Sequence, residues 1–125
     1  MVVNHSRVED MQEVKKLGFQ PCKTAIPLPE DAIAVFCRRW KIDELYLFGS
    51  ILRDDFHADS DVDTMVHFST DSQWSLFDLV EMKADLESAF ARKVDIMTKK
   101  SVEDSTNWIR RQEILSSARL FYVTR

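Results

Sequence analysis

From residue 29 onward, apolar and polar positions alternate in recognisable periods. Pro29, Glu30 and Asp31 place a proline and two acids where the first turn of a helix favours them. Ile33, Phe36, Cys37 and Trp40 then recur at i, i+3, i+4, i+7, one face of a helix. Residues 43–48 (DELYLF) predict a strand running into Gly49-Ser50, and Val62 to Phe68 a second strand with Asp61 at its mouth. Residues 73–90 predict a helix with Leu76, Leu79, Val80, Leu86 and Phe90 inward, and residues 93–98 (KVDIMT) a third strand. Ser101-Val102-Glu103-Asp104 fits a helix start, with Trp108, Ile109, Ile114 and Leu115 continuing it, and residues 120–124 (LFYVT) predict a closing strand. The order helix, strand, strand, helix, strand, helix, strand predicts an α/β (α+β) domain, a small mixed β-sheet with helices on one face.

Ahead of residue 29 the pattern thins. Val8, Met11, Val14 and Leu17 are sparse among polar residues, at most a loosely held helix, and Gly18 with the stretch Pro21 to Pro29 punctuates the chain. Residues 1–28 therefore read as an N-terminal arm and 29–125 as the domain.

Composition narrows the class. A chain of 125 residues matches the ~100–200 residues of one domain, and 45% hydrophobic residues with a net charge of -4 suffice for one core. No apolar run approaches the ~20 residues a membrane-spanning helix needs, and the first residues are too polar for a secretory signal. Two cysteines, Cys22 and Cys37, make neither a disulfide scaffold nor a zinc site. These features predict a soluble protein of the reducing cytoplasm, with no membrane association. An excess of 21 Asp and Glu over 17 Lys and Arg predicts no stable nucleic-acid binding.

The chemistry is concentrated between Leu47 and Phe68. A glycine after a strand lets backbone approach a bound group; turned N–H groups at Gly49-Ser50 form an anion-binding concavity, and the Ser50 hydroxyl adds a donor. Asp61 and Asp63, two apart on a strand, share one face while Val62 and Thr64 take the other. Carboxylates so close raise each other's pKa unless a cation lies between them, and a hard divalent ion such as Mg²⁺ suits oxygen donors. In the next strand Asp95 sits between Val94 and Ile96. If that strand pairs beside the one bearing Asp61 and Asp63, three carboxylates converge as in a two-metal phosphoryl- or nucleotidyl-transfer centre.

Gly49-Ser50, ten residues, then Asp61-Val62-Asp63 resembles the G-S-x10-D-x-D signature of the polymerase-β-like nucleotidyltransferases. The surroundings, including RKVDIMT and the tail from Asn107, look like the minimal, single-domain nucleotidyltransferases (MNT), the antitoxins of HEPN–MNT toxin–antitoxin pairs. The resemblance implies that Gly49 and Ser50 hold the β- and γ-phosphates of ATP, with Arg53 reaching the triphosphate. It implies that Asp61 and Asp63 ligate two Mg²⁺ ions and that Asp95 completes one metal site and takes the acceptor's proton. It further implies transfer of AMP to a tyrosine of a HEPN-domain toxin. Asp54, Asp55 and His67 depart from the usual pattern and bear on substrate detail.

Plainer assignments cover the rest. Cys37 belongs to the core, Cys22 is a loop thiol, the three tryptophans pack, and Arg110-Arg111 is a solvated helix face. His5, His57 and His67 lack a ligand pattern. Two other functions fit the same residues: an aminoglycoside-type small-molecule nucleotidyltransferase, and a non-catalytic binding antitoxin on the same scaffold. A neighbouring gene carrying an R-x4-6-H motif favours a protein partner over a small molecule.

Overall fold

The computed structural model describes residues 18–69 and 72–124. The weak helix expected around Val8 to Leu17, and His5, lie outside the described residues. The elements are α1 (Glu30–Arg39), β1 (Ile42–Phe48), a 3₁₀ turn (Gly49–Leu52), β2 (Val62–Phe68), α2 (Leu76–Phe90), β3 (Val94–Thr98), α3 (Lys99–Glu103), α4 (Trp108–Ser117) and β4 (Arg119–Val123).

The sheet runs β3-β2-β1-β4. β1 lies antiparallel to β2 and β4, whereas β3 is parallel to β2, as expected when a helix carries the chain from one to the other. This mixed sheet is the architecture the periodicity predicts.

Alternation along the strands separates two apolar layers. Leu45, Leu47, Val62 and Val66 face Ile33, Phe36 and Cys37 of α1 and Met82, Leu86 and Phe90 of α2. The other face is smaller: Phe48 and Met65 meet Val102 of α3 and Ile114 of α4. Helices on one face is thus true of α1 and α2 alone. The two short C-terminal helices partly cover the opposite side, the side on which Asp63 shares strand parity with Met65.

Local chemistry explains the helix boundaries. α2 opens on a capping box in which the Ser75 hydroxyl accepts from the Asp78 amide and the Asp78 carboxylate accepts from the Ser75 amide. Its inward line is Leu79, Met82, Leu86 and Phe90, so two expected core positions are corrected. Val80 lies about 100° round from Leu79 and faces out, and Leu76 belongs to the first turn, ahead of the core contacts; they are 66% and 77% exposed. α1 and α2 are tied by Arg39, which reaches Asp85 at 2.7 Å and Glu81 at 2.9 Å, while the Trp40 indole also donates to Asp85.

The single helix expected from Ser101 is two. Thr98 caps α3 by accepting from the Ser101 amide, which puts Ser101 inside the helix, and Asn107 caps α4 by accepting from the Arg110 amide. Residues 18–28 of the expected arm join the domain: Phe19 bridges Tyr122, and the Ala25 amide donates to the Ile51 carbonyl.

Candidate active site

The register of β2 and β3 builds the site. Asp63 pairs directly with Asp95 across the parallel ladder, and Phe48 of β1 lies opposite Asp63 on the other side. Asp61 stands one residue ahead of β2. The strand pairing on which the expected convergence depended is present: β3 is the neighbour of the strand that carries the paired acids. The buried Thr64 hydroxyl fixes this pairing by donating to the Asp95 carbonyl at 2.8 Å.

Gly49 closes the floor. Its φ of +79° is one that L side chains rarely adopt, and a Cβ built there would overlap the Asp63 carboxylate. Glycine is needed twice at this position, for the turn and for the approach.

Electrostatics make Asp63 the focus. Burial pushes its carboxyl above the usual range, the negative charges of Asp95 and Asp61 push it further, and Arg110 pulls it partly back. Among the described residues none of these three carboxylates is in an ion pair. Nor do three His, Cys, Asp or Glu side chains enclose one point closely enough to hold an ion unaided. Asp63 instead feels each neighbour pairwise. That suits Mg²⁺, which binds through one or two carboxylates and completes its octahedron with water and phosphate oxygens. The donor set fits such an ion.

A cleft of about 720 Å³ lies over Asp63, lined by Gly49, Arg53 and Asp63 together with Arg110, Glu113 and Ser117 of α4; Asp61 and Asp95 are not among its lining residues. Ser50 is half-buried beside it and is not one of its lining residues. Arg53 borders the cleft, yet its guanidinium is held by Asp55 at 3.0 Å, and that pairing depresses the Asp55 pKa. Arg110, read from sequence as a solvated face, is the residue that reading missed. Arg110, Glu113, Ile114 and Ser117 stand at i, i+3, i+4, i+7, and that spacing was the available signal. His57 accepts from the Asp59 amide in a loop, and His67 is exposed near the other end of β2 from Asp63, opposite Glu44.

Two acids at a strand end, a third across a parallel ladder and a glycine turn against Asp63 are an arrangement compatible with phosphoryl or nucleotidyl transfer. The chain belongs to the nucleotidyltransferase domain family, whose model matches residues 30–121. It is similar to two proteins of Methanocaldococcus jannaschii named "Putative protein adenylyltransferase", MJ1379 (35% identical over 66 residues, 53% of this chain) and MJ0435 (38% over 56 residues, 45% of this chain). The match spans 66% and 58% of those relatives' own lengths, under two thirds of each.

Solved structures share the fold. A chain from a toxin–antitoxin crystal structure with AMP-PNP superposes with a TM-score of 0.58 at 22% identity, covering 76% of this chain and 73% of the other. A structure described as a putative minimal nucleotidyltransferase gives 0.56 at 26% identity, covering 73% and 86%. A chain from the complex of a tri-AMPylated Shewanella oneidensis HEPN toxin with its MNT antitoxin gives 0.54 at 21%, covering 77% and 71%. Among the described residues no helix is long and apolar enough to cross a membrane.

Proposed function

We propose that this protein is a Mg²⁺-dependent, cytoplasmic nucleotidyltransferase that moves AMP from ATP to a tyrosine hydroxyl of a HEPN-domain toxin, and so acts as its antitoxin. The observation that carries this reading is the direct pairing of Asp63 with Asp95, with Asp61 alongside and Gly49 against the Asp63 carboxylate. The two relatives named as protein adenylyltransferases support a protein acceptor. So does the start of α4, where the exposed Trp108 and Ile109 immediately precede Arg110 of the cleft lining and offer apolar surface for a protein partner.

In this reading Gly49, Ser50 and Arg53 hold the phosphates. Asp61 and Asp63 would hold two Mg²⁺ ions, with Asp95 as a further ligand, and metal bound there would supply neutralisation of charge on the phosphates and a lowered pKa for the acceptor hydroxyl. The acceptor oxygen bonds to the α-phosphorus as the bond from that phosphorus to the bridging oxygen breaks. Pyrophosphate leaves, and Asp95 accepts the hydroxyl proton. Most of the rate enhancement comes from positioning and from neutralising charge that develops in the transition state.

The test is transfer of label from α-³²P-ATP to the purified partner toxin in the presence of Mg²⁺. Wild type should label a tyrosine, and the Asp61→Ala/Asp63→Ala protein should label nothing. Inhibition of the toxin by both proteins with no label would replace this mechanism by a binding antitoxin. Label on an aminoglycoside in preference to the toxin would replace the acceptor.

A further inference from the structure

The cleft over Asp63 continues into a second cavity of about 390 Å³, the two sharing Gly49, Arg53 and Ser117. The second cavity differs in charge. Lys23, Arg53 and Arg119 line it and no acid does, whereas Asp63 and Glu113 both line the first. Its outer wall comes from Pro21, Cys22 and Lys23, which precede residues 30–121, the part matched by the family model. The wall is held in place by the Phe19–Tyr122 bridge, by the Gln20 amide donating to Phe121, and by Cys22 packing against the core.

Resting on the nucleotidyltransferase reading, we propose that this cavity is a polyphosphate subsite. The β- and γ-phosphates of the nucleoside triphosphate lie there, bound by Lys23 and Arg119 together with Arg53. The α-phosphorus has to sit beside Asp63, so the path from Asp63 past Gly49 into the second cavity runs along the triphosphate toward its free end. Lys23 and Arg119, with no acid in the lining, and Arg53, which the substrate shares with Asp55, suit the most highly charged part of the substrate and the pyrophosphate that leaves. The segment before the family domain thereby supplies one wall of the substrate site.

Cys22 gives a direct readout. The sequence has two cysteines; Cys22 is half-buried on this cavity, and Cys37 is fully buried in the core. N-ethylmaleimide should therefore label the folded protein at Cys22, and the labelling rate should report what fills the cavity. ATP and sodium tripolyphosphate should slow it, and adenosine should not. In a Lys23→Ala/Arg119→Ala protein of unchanged Tm, half-protection should need about tenfold more tripolyphosphate or greater, from the loss of two charge-assisted contacts. The Lys23→Arg/Arg119→Lys protein should recover it. Rates are compared with and without ligand within each variant, because Arg119 itself lowers the Cys22 pKa against the effect of burial.

Protection by adenosine equal to that by ATP would place the base in the cavity and overturn the proposal. Undiminished labelling in ATP while AMP is still transferred to the toxin would also overturn it and leave the nucleotidyltransferase reading standing. Absence of protection, of transfer and of ATP binding by equilibrium dialysis would remove that reading, and this one with it.

Discussion

Replacing Gly49 by alanine should separate the stability of this fold from its chemistry. At φ +79° an L-residue costs about 1–2 kcal/mol, and about 0.4–1 kcal/mol is offset by the stiffer unfolded chain. The new Cβ would also overlap the Asp63 carboxylate and lie 3.2 Å from Asp63 Cγ. Those atoms are the end of a side chain that can rotate, so the overlap is relieved by swinging the carboxylate out of its place with little cost to the fold. The net loss of stability should be about 1 kcal/mol, or about 4 °C in Tm for a domain of this size. A displacement of a reacting group by about 1 Å is worth about a hundredfold in rate. Gly18→Ala is the matched control. It has φ +95°, and its Cβ would stand 2.9 Å from the Val123 carbonyl oxygen, a backbone atom that cannot swing aside. That protein should lose at least as much Tm yet keep kcat at saturating ATP. Melting curves and AMP transfer to the toxin, measured on both proteins, decide the matter. Gly49→Ala with kcat within about threefold of wild type would refute a role for the Asp63 carboxylate at this position.

Four further outcomes follow from the same geometry. Asp63 has its pKa raised on folding, so its contribution favours the fold fully below the usual carboxylate value near pH ~4 and is lost as pH rises through the raised value. Mg²⁺ should thus raise Tm at pH 7.5 and not at pH 4, and Asp63→Asn should raise the metal-free Tm and abolish the response; an equal Mg²⁺ effect in the variant would count against the site. Thr64→Val, which removes the hydroxyl that donates to the Asp95 carbonyl, should cost about 1 kcal/mol in urea denaturation and lower AMP transfer. Ser75→Ala removes the cap of α2 and should cost a similar ~1 kcal/mol with transfer unchanged, so any fall in kcat would show the helix start to be coupled to the site. Burial pushes the Cys37 thiol up to about 12, so its contribution to stability persists below the ordinary thiol value and is lost only as pH rises toward that figure. Ellman's reagent at pH 8 should count one thiol in the folded protein and two after denaturation, and two in the native state would contradict the core assignment.

The acids were legible because their spacing is short and periodic. Asp61 and Asp63 need only the two-residue strand period to share a face. Asp95 needed one tertiary inference, that a helix-linked strand returns beside its predecessor, and the β2–β3 register bears this out. Gly49 could be placed at a turn, but its approach to Asp63 could not be read, because it depends on the Phe48–Asp63 pairing across an antiparallel ladder. Arg110 was within reach through its helical spacing with Glu113, Ile114 and Ser117. It went unused because adjacent basic residues on a helix are usually solvated. Lys23 and Arg119 were out of reach. They are distant in sequence and line one cavity only because residues 18–20 pair with the edge strand β4, a contact without a periodic signature.

The two faces of the sheet divide the labour between stability and chemistry. α1 and α2 fill one face with Met82, Leu86, Phe90, Ile33 and Phe36, and this layer supplies most of the buried apolar surface. The other face has a smaller cluster, around Phe48 and Met65, and leaves the strand end bearing Asp63 beside an open cleft. Like charges gathered on a sheet disfavour folding, and their cost is lower where water and counter-ions reach them. β2 meets both demands within one heptapeptide, with Val62, Thr64 and Val66 buried toward the helices and Asp63 toward the cleft. A shift of that strand by one residue would bury the acid and expose the valines, losing core and site together. Fold stability on one face therefore fixes the register that the chemistry on the other face requires.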